Sequence, residues 1–438
     1  MDLVFKGGCN EVGGSSLLLE SQGGSVMLDC GFNIGNGTHP MFTDAELETV
    51  NSILISHAHL DHSGYLPHLF MARMYKCHMT KPTKDLMALL LADFQRLQKI
   101  REVTEAAPRF TPNAIAAILA NTTCHEFNEP WKVGEGNAPT SAFNISLHNA
   151  GHILGSAIIK ANDLLYACDI NCRATKLLNH CEPVAAKTLV MESTYGGRED
   201  VLPSYKESTQ QLVAKINEAH AAGGCVMIPV FAVGKGQEIL LILESIMRSK
   251  VIPEMPIYVD GMVKKATRIY RQNAIYTRME IQRRILMSED DPFSSKFFKV
   301  SESRERLDVK RPCIIVSTSG MMNGGPILTY LRMFAGDPDS KLIIAGYQAD
   351  GTIGRKILEG IREIEIDGER VEIKCEVSMI HFSSHADRND LVRFANTVKG
   401  LEKVYLVHGE PQKTSELKEE LEKKFDVVVP NAGERFKL

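Results

Sequence analysis

The amino-acid sequence predicts an α/β protein in which a domain of alternating strands and helices is inserted into a β-rich domain. Residues 1–60 consist mainly of short apolar runs separated by Gly-rich turns, which is typical of β-strands. After residue 197, strand patterns alternate with helix patterns, and this alternation predicts a parallel sheet covered by helices. A chain of 438 residues has room for two or three domains.

The first predicted domain, residues 1–196, has apolar runs of strand length and two longer helix patterns. Leu86, Leu90 and Phe94 recur at helix spacing, and they predict the long helix Lys84–Glu105. The other predicted helices are Tyr65–Met74 and Pro112–Leu119, and the predicted strands are Asp2–Lys6, Ser15–Glu20, Ser25–Cys30, Ser52–Ser56, Phe143–Leu147, Ala157–Lys160, Leu164–Ala167 and Thr188–Met191.

The predicted insert, residues 197–375, follows the Gly-rich turn at Gly196 and Gly197. Its predicted helices are Ser204–Ala222, Gln237–Arg248, Val263–Tyr276 and Pro326–Ala335, and its strands are Cys225–Pro229, Ile257–Val259, Cys313–Ser317, Lys341–Ala345, Glu363–Ile366 and Glu369–Ile373. Residues 376–438 are assigned back to the first domain, with strands Val377–Ile380, Lys403–Val407 and Val427–Val429 and helices Asp387–Thr397 and Lys413–Lys424.

Composition excludes several classes of protein. The net charge of -4 and the pI near 6.4 give no global signal for polyanion binding, so any nucleic-acid surface must be local. The N-terminus lacks the apolar core of a signal peptide, and no apolar run approaches the roughly 18 residues of a membrane span. Ten scattered cysteines without CxxC spacing favour a reduced, cytoplasmic setting over a disulfide framework.

A cluster of potential metal ligands follows the buried strand Ser52–Ser56. Residues 57–62 have the pattern HxHxDH, with His57, His59, Asp61 and His62. Side chains two residues apart share one face of an extended segment, so His57 and His59 can point to the same side. Three imidazoles and a carboxylate exceed what one metal needs from one loop, which indicates two adjacent metals. A single HxH, in contrast, is often only a polar turn.

Three further residues of ligand type lie at predicted strand ends or turns. His152 occupies a Gly-flanked turn, and Asp169 and His408 each follow a strand. Asp29 also stands at a strand end. A sandwich of two sheets would gather the loops at these strand ends into one site. Nitrogen and oxygen ligands of this kind suit zinc.

These residues resemble the motifs of the metallo-β-lactamase fold, which is an αββα sandwich. Segments 192–196 (ESTYG), 229–238 (PVFAVGKGQE), 318–322 (TSGMM) and 384–387 (SHAD) further resemble the β-CASP branch of this family. Within it, the chain is most similar to the endonuclease subunit of the cleavage and polyadenylation specificity factor and its archaeal relatives, in a shorter form that lacks KH domains. The resemblance covers nearly the whole chain.

The resemblance implies two Zn²⁺ ions and a role for each motif residue. His57, His59 and His152 would hold one zinc, and Asp61, His62 and His408 the other. Asp169 would bridge them, Asp29 would orient ligands, and His385 would be the general acid with Glu192 as its partner. On residue type alone, His385 could be a buried core histidine and Glu192 an ion-pair partner. One position departs from the family pattern, since Cys168 precedes Asp169 where a glycine is usual.

The insert suggests that the substrate is a single-stranded nucleic acid, and the family resemblance alone favours RNA over DNA. Asp169 and His408 are 239 positions apart, so an inserted domain could cap the site. Residues 263–311 contain 13 Lys/Arg against seven Asp/Glu, together with several aromatic residues, and basic and aromatic side chains contact phosphates and unpaired bases respectively. The same charges could instead form a solvated helix face with i,i+4 pairs. The predicted RNA-binding residues are Lys235, Lys264, Lys265, Arg268, Arg271, Arg283 and Arg284.

The sequence and the resemblance together predict a zinc-dependent ribonuclease that hydrolyses phosphodiester bonds by a two-metal hydroxide mechanism. The expected role is RNA 3′-end processing, maturation or decay, alone, as a homodimer or in a processing complex. Endonuclease and 5′→3′ exonuclease activity both remain open. Two alternatives are a small-molecule hydrolase of thioesters or lactones and a non-catalytic RNA-binding subunit.

Overall fold

The computed structural model describes residues 1–100, 108–134, 143–300, 308–349 and 351–438. The chain divides into two compact units. The first unit contains Met1–Ala174, Asn179–Val201 and His385–Leu438, and the second contains Thr175–Leu178 and Leu202–Ser384. The predicted α/β class is confirmed, whereas the domain boundaries placed at 196/197 and 375/376 stay predictions.

The first unit contains two mixed sheets. The strands of one sheet lie in the order Arg435–Lys437, Asp2–Gly7, Ser16–Ser21, Gly24–Leu28, Val50–Leu54, Lys76–Met79 and Thr122–Cys124. Those of the other lie in the order Asp426–Val428, Lys403–Val407, Thr188–Glu192, Leu164–Ala167, Ala157–Ala161, Phe143–Asn149 and Trp131–Val133. The helices are Asp44–Thr49, Leu60–Ser63, Leu66–Ala72, Lys81–Ile100, Pro112–Ala120, Arg388–Thr397 and Pro411–Leu421.

The two sheets pack face to face because alternate residues along their strands are apolar and buried. Leu3 and Phe5 from one sheet share a core with Phe143, Tyr166 and Tyr405 from the other. A second core lies on the opposite face of the second sheet, where strand residues pack against the helices Arg388–Thr397 and Pro411–Leu421. This period-two burial is the pattern expected of a sandwich.

The second unit contains a parallel sheet with apolar cores on both faces. Its strand order is Phe298–Val300, Ile257–Asp260, Cys313–Ser317, Cys225–Pro229, Lys341–Ile344 and Glu376–Met379, and every pairing in it is parallel. A separate hairpin joins Glu363–Ile366 and Glu369–Glu372. The helices are Tyr205–Ala222, Lys235–Arg248, Val263–Gln272, Met279–Leu286, Ile327–Phe334 and Ile353–Leu358, with 3-10 turns at Ala274–Tyr276 and Pro292–Ser294.

Several elements differ from the sequence prediction. The helix predicted over Val263–Tyr276 ends at Gln272 and is followed by a 3-10 turn, because Asn273 leaves the helical conformation. The helix Asp44–Thr49 was not predicted, although the capping box of Thr43 and Glu46 marks its start. Residues 101–107 of the predicted helix Lys84–Glu105 lie outside the described residues. No described helix has the length and apolarity needed to cross a bilayer.

His78 is a half-buried imidazole in the sheet that carries the HxHxDH loop. Its Nδ1 lies 2.9 Å from Nε2 of His125, whose ring stacks on Trp131, and its Nε2 lies 3.2 Å from Oγ of Ser52. Burial lowers the pKa of His78 to about 4, and the charges of His125 and Lys76 act in the same direction. The folded protein therefore keeps His78 neutral at a pH where an unfolded chain protonates it.

We expect this histidine to make the folded state less stable as the pH falls from about 6.5 to about 4, because only the unfolded chain takes up its proton there. The slope is at most about 1.4 kcal/mol per pH unit. Urea unfolding midpoints of the wild type and His78→Gln, measured across this range, test the expectation. The variant should show the flatter dependence, and equal slopes would contradict it.

Candidate metal centre

The candidate site lies where several parallel strands end. The strand Leu164–Ala167 pairs with Thr188–Glu192, which pairs in register with Lys403–Val407. Since neighbouring parallel strands end at the same edge of a sheet, Asp169, Glu192 and His408 are brought together there. In the other sheet, Gly24–Leu28 and Val50–Leu54 are also parallel. Their ends carry Asp29 and the HxHxDH loop, so long-range strand pairing assembles the site.

The first group of donor atoms comes from three histidines and one aspartate. Nδ1 of His59 lies 3.2 Å from Nε2 of His57 and 3.1 Å from Nε2 of His152. Oδ2 of Asp169 lies 3.5 Å from Nε2 of each of His57 and His152. A tetrahedron with zinc–nitrogen distances of 2.0–2.1 Å has edges of roughly 3.3–3.4 Å. The donor spacing therefore fits a tetrahedral metal.

The second group uses the other oxygen of the same carboxylate. Oδ1 of Asp169 lies 3.5 Å from Nε2 of His62 and 3.5 Å from Nδ1 of His408. Oδ2 of Asp61 lies 3.3 Å from Nε2 of His408 and 3.8 Å from Nε2 of His62. All seven predicted ligands are thus brought together, and Asp169 presents one oxygen to each group.

Two buried atoms of the second group lack a hydrogen-bond partner. These are Nε2 of His62 and Oδ1 of Asp169. A buried polar atom without a partner is costly, and both atoms belong to side chains that bind metals. Together with the donor spacing, these two atoms indicate that the residues present fit a metal.

The charges of the site also favour a bound metal cation. Burial lowers the pKa of His62, but the carboxylates of Asp169, Asp61 and Asp29 outweigh it and raise that pKa to about 10. Burial, with His62 as the next cause, lowers the pKa of His57 well below its ordinary value. His57 is therefore a neutral imidazole, whereas the carboxylates around His62 attract positive charge. A bound cation would supply it.

Asp29 orients His62 from beneath the site. Its backbone is left-handed (φ 57°) and its side chain is fully buried. The carboxylate accepts hydrogen bonds from the backbone N–H of Ser56 (2.7 Å), Oγ of Ser56 (2.7 Å), the hydroxyl of Tyr166 (2.8 Å) and Nδ1 of His62 (2.7 Å). The bond to Nδ1 leaves Nε2 of His62 to face the donor group.

Sequence reasoning missed three residues that help to orient the candidate ligands. Oγ of Ser56 lies 3.1 Å from Nδ1 of His57, and Oγ1 of Thr194 lies 3.2 Å from Nδ1 of His408. The third is Tyr166, which contacts Asp29. Ser56 precedes His57 directly and Thr194 lies in the ESTYG segment, so position alone could have suggested both. Nothing local in the sequence points to Tyr166.

His385 and Glu192 form a hydrogen-bonded pair beside the first donor group. Nδ1 of His385 donates to Oε2 of Glu192 at 2.9 Å, and Oε1 of Glu192 accepts from the backbone N–H of Ile170 at 2.7 Å. Glu192 is fully buried, while the side chain of His385 is 21% exposed. The ring of His385 lies 4.5 Å from that of His152. This histidine can therefore meet a substrate while Glu192 holds its orientation.

The predicted RNA-binding residues separate into exposed and engaged side chains. The described chain shows neither a hydrogen bond nor an ion pair for three exposed cations: Lys265, Arg268 and Arg283. In contrast, Arg271 pairs with Asp291 at 2.5 Å, and Arg284 pairs with the buried Glu244 at 2.7 Å.

Two other members of the predicted set do not belong to this exposed group. Lys235 is only 7% exposed, and burial lowers its pKa to about 8. Lys264 is half-buried and already interacts with another group of the protein. The prediction that aromatic residues in or beside the basic segment 263–311 stack on bases is wrong for four of them, which are buried: Tyr258, Tyr270, Phe293 and Phe297.

An open cavity of about 470 Å³ lies beside the exposed cations of the second unit. Arg268, Arg271, Gln272 and Ile285 line it. It brings together the helices Val263–Gln272 and Met279–Leu286, and only the first of these was predicted. Of the two guanidinium groups that line it, that of Arg271 already pairs with Asp291.

Comparison with known families agrees with this geometry. The model of the Beta-Casp domain matches residues 236–357, and that of the Zn-dependent metallo-hydrolase RNA specificity domain matches residues 370–430. A third model, for the anti-Pycsar protein Apyc1, matches residues 9–207.

Similar proteins extend the match over most of the chain. The "transcription termination factor FttA" of Methanocaldococcus jannaschii is 36% identical over 93% of this chain and 67% of its own length. Its counterpart in Pyrococcus horikoshii is 37% identical over 99% of this chain and 70% of its own length. An "RNase J-like protein" of M. jannaschii is 37% identical and aligns over 93% of this chain and 92% of itself.

One solved structure shares the fold at low sequence identity. It is a protein of unknown function from Enterococcus faecalis, with a TM-score of 0.57 and 12% identity over 100% of this chain and 99% of that one. This likeness concerns the fold alone.

We expect Asp29→Asn to weaken metal binding about 10–100-fold, because the amide cannot accept all four hydrogen bonds and loses its hold on His62. Chelator competition followed by metal analysis measures the change. Tyr166→Phe removes one of the four bonds and is the matched control, with a smaller loss expected. Equal affinity in Asp29→Asn and the wild type would contradict the role given to Asp29.

Proposed function

Because the chain belongs to the β-CASP branch of the metallo-β-lactamase nucleases, we propose that it is a zinc-dependent ribonuclease that cuts single-stranded RNA. The observation that carries this proposal is the pair of donor groups that share Asp169, with His385 beside them. The names of the similar proteins support a role in RNA 3′-end formation, transcription termination or RNA processing.

The proposed roles follow the two donor groups. His57, His59 and His152 would hold one zinc, Asp61, His62 and His408 would hold the other, and Asp169 would be shared by both. When bound, two such ions lower the pKa of water and neutralise the charge on a phosphodiester. The two carboxylates of Asp61 and Asp169 leave part of the metal charge uncompensated, which suits an anionic substrate.

His385 is the proposed general acid. Its Nδ1–H is committed to Glu192, so in the protonated ring Nε2 carries the proton that can pass to the leaving oxygen. Glu192 stabilises the imidazolium and is itself held by the backbone of Ile170. When the leaving oxygen is the 3′ oxygen of the RNA, hydrolysis gives a 5′-phosphate and a 3′-hydroxyl. Buried side chains beneath the site keep the ligands aligned through the reaction.

Cleavage of labelled single-stranded RNA tests the proposal. We expect Asp61→Ala to lower metal content and abolish cleavage, and chelation of the wild type to do the same. His385→Ala should retain metal but slow cleavage about 10²–10⁴-fold, since only proton transfer is lost. His220→Ala, in a helix of the second unit, is the control histidine and should match the wild type.

Cleavage that survives both chelation and Asp61→Ala would overturn the metal mechanism. Turnover of thioesters or lactones without RNA binding would favour the small-molecule hydrolase, and RNA binding without turnover would favour a non-catalytic subunit. Product mapping on 5′-triphosphate, 5′-monophosphate and circular RNA separates endonuclease from 5′→3′ exonuclease, because a circle offers no end.

The exposed cations of the second unit are proposed to bind RNA phosphates. Arg268→Ala and Arg283→Ala should weaken RNA binding and reduce the salt slope by about 0.7 per lost phosphate contact, with unchanged thermal stability. Arg284→Ala is the contrasting variant, because it removes the hydrogen-bonded guanidinium from the buried Glu244 and leaves only the longer contact with Arg248 (3.5 Å), so it should lower the unfolding temperature. Binding measured at several salt concentrations checks this, and an unchanged slope in both Arg268→Ala and Arg283→Ala would contradict it.

A further inference from the structure

Two cysteines outside the proposed ligand set lie close enough to react with each other. Sγ of Cys172 is 3.5 Å from Sγ of Cys181, and the two residues are nine positions apart. The backbone N–H of Cys181 donates to the carbonyl of Asn171 at 2.8 Å, which fixes the two ends of the intervening loop side by side. A disulfide has an S–S distance of about 2.05 Å, so the two sulfurs must approach by about 1.5 Å to form one.

The two thiols differ in access. Cys172 is half-buried, whereas Cys181 is only 3% exposed. The hydrogen bond with Cys172, followed by burial, raises the pKa of Cys181 well above the ordinary value of a thiol. Cys181 therefore stays protonated, and Cys172 is the sulfur that a small oxidant reaches first.

The pair adjoins the loops that carry two proposed metal ligands. Asp169 precedes Cys172 by three residues. A Cβ added to Gly151, which precedes His152, would lie 2.8 Å from the carbonyl oxygen of Asn171 and 3.0 Å from the backbone nitrogen of Cys181. The side chain of Asn149 donates to the carbonyl oxygen of His180 at 3.0 Å. The two ends of the loop between Cys172 and Cys181 are thus packed directly against the turn before His152.

We propose that Cys172 and Cys181 are a reversible redox site that a hydroperoxide converts to an intramolecular disulfide. The thiolate of Cys172 attacks the hydroxyl oxygen of the peroxide, the O–O bond breaks, and hydroxide leaves from hydrogen peroxide or an alkoxide from an organic hydroperoxide, which gives a sulfenic acid at Cys172. The sulfur of Cys181 then attacks this sulfur, the S–O bond breaks, and the hydroxyl group leaves with the proton of Cys181 as water. Two thiols are oxidised and one peroxide is reduced, and a dithiol reverses the reaction by exchange.

A second thiol pair in the chain provides an internal control. Sγ of Cys225 and Sγ of Cys313 are 3.3 Å apart on neighbouring parallel strands of the second unit. Both are almost fully buried, at 0% and 1% exposure. Proximity without access should leave this pair reduced under mild oxidation. The comparison therefore separates a reactive site from mere closeness of two sulfurs.

The test is peptide mapping of the folded, zinc-loaded protein after treatment with a small excess of hydrogen peroxide, with thiols blocked before digestion. We expect a peptide linked through Cys172 and Cys181, lighter by two hydrogens than its unlinked parts and lost on dithiothreitol treatment. Cys225 and Cys313 should be recovered as blocked thiols. The variant Cys181→Ser should stop at a sulfenic acid on Cys172, which dimedone traps.

Three results would overturn the proposal. In the first, Cys172 and Cys181 remain free thiols after peroxide treatment. In the second, the linked peptide forms only in heat-unfolded protein or only after zinc is lost, which parallel metal analysis shows. In the third, Cys225 and Cys313 link as readily as Cys172 and Cys181.

Discussion

The carboxylate of Asp169 lies between two groups of buried imidazoles, and much of the first unit serves to hold that arrangement. A carboxylate buried among histidines needs positive charge nearby: burial raises the pKa of Asp169, but the charges of His408 and His62 outweigh it and hold that pKa well below its ordinary value. The residue reaches this place because its strand pairs in parallel with the strand that ends at Glu192. The parallel pairing of these strands is therefore what places the charge of Asp169 among the histidines.

The same pairing explains how a long insert is compatible with one site. Glu192 lies opposite Val407 in the sheet although 215 positions separate them in the chain. The chain can therefore leave the first unit after Val201 and re-enter it at His385, while the strand pairing within the first unit stays intact. His385 is the first residue of the returning segment, and it immediately meets Glu192. The proton-donor role proposed for His385 depends on this return of the chain.

The sequence was most informative where a pattern is local. HxHxDH follows a buried strand, and the parallel alternation of the second unit could be predicted from periodicity and turns. The order of strands in the sheets could not, because it depends on pairings between distant segments. Tyr166 illustrates this, since its hydroxyl reaches Asp29 from a strand 137 positions away. The roles of such residues follow from packing and leave no local motif.

The number of basic residues predicts an RNA-binding surface poorly, because it does not show which side chains already pair with carboxylates of the protein. The basic excess of residues 263–311 includes Arg284, but this guanidinium neutralises Glu244 inside the unit. The partners of Arg271 and Arg284 come from a different helix and from loops that periodicity does not connect to them. Only a cation without such a partner can exchange water for phosphate at little electrostatic cost. The proposed RNA-binding surface is therefore smaller than the basic composition suggests, and Arg268 and Arg283 represent it better than the total charge.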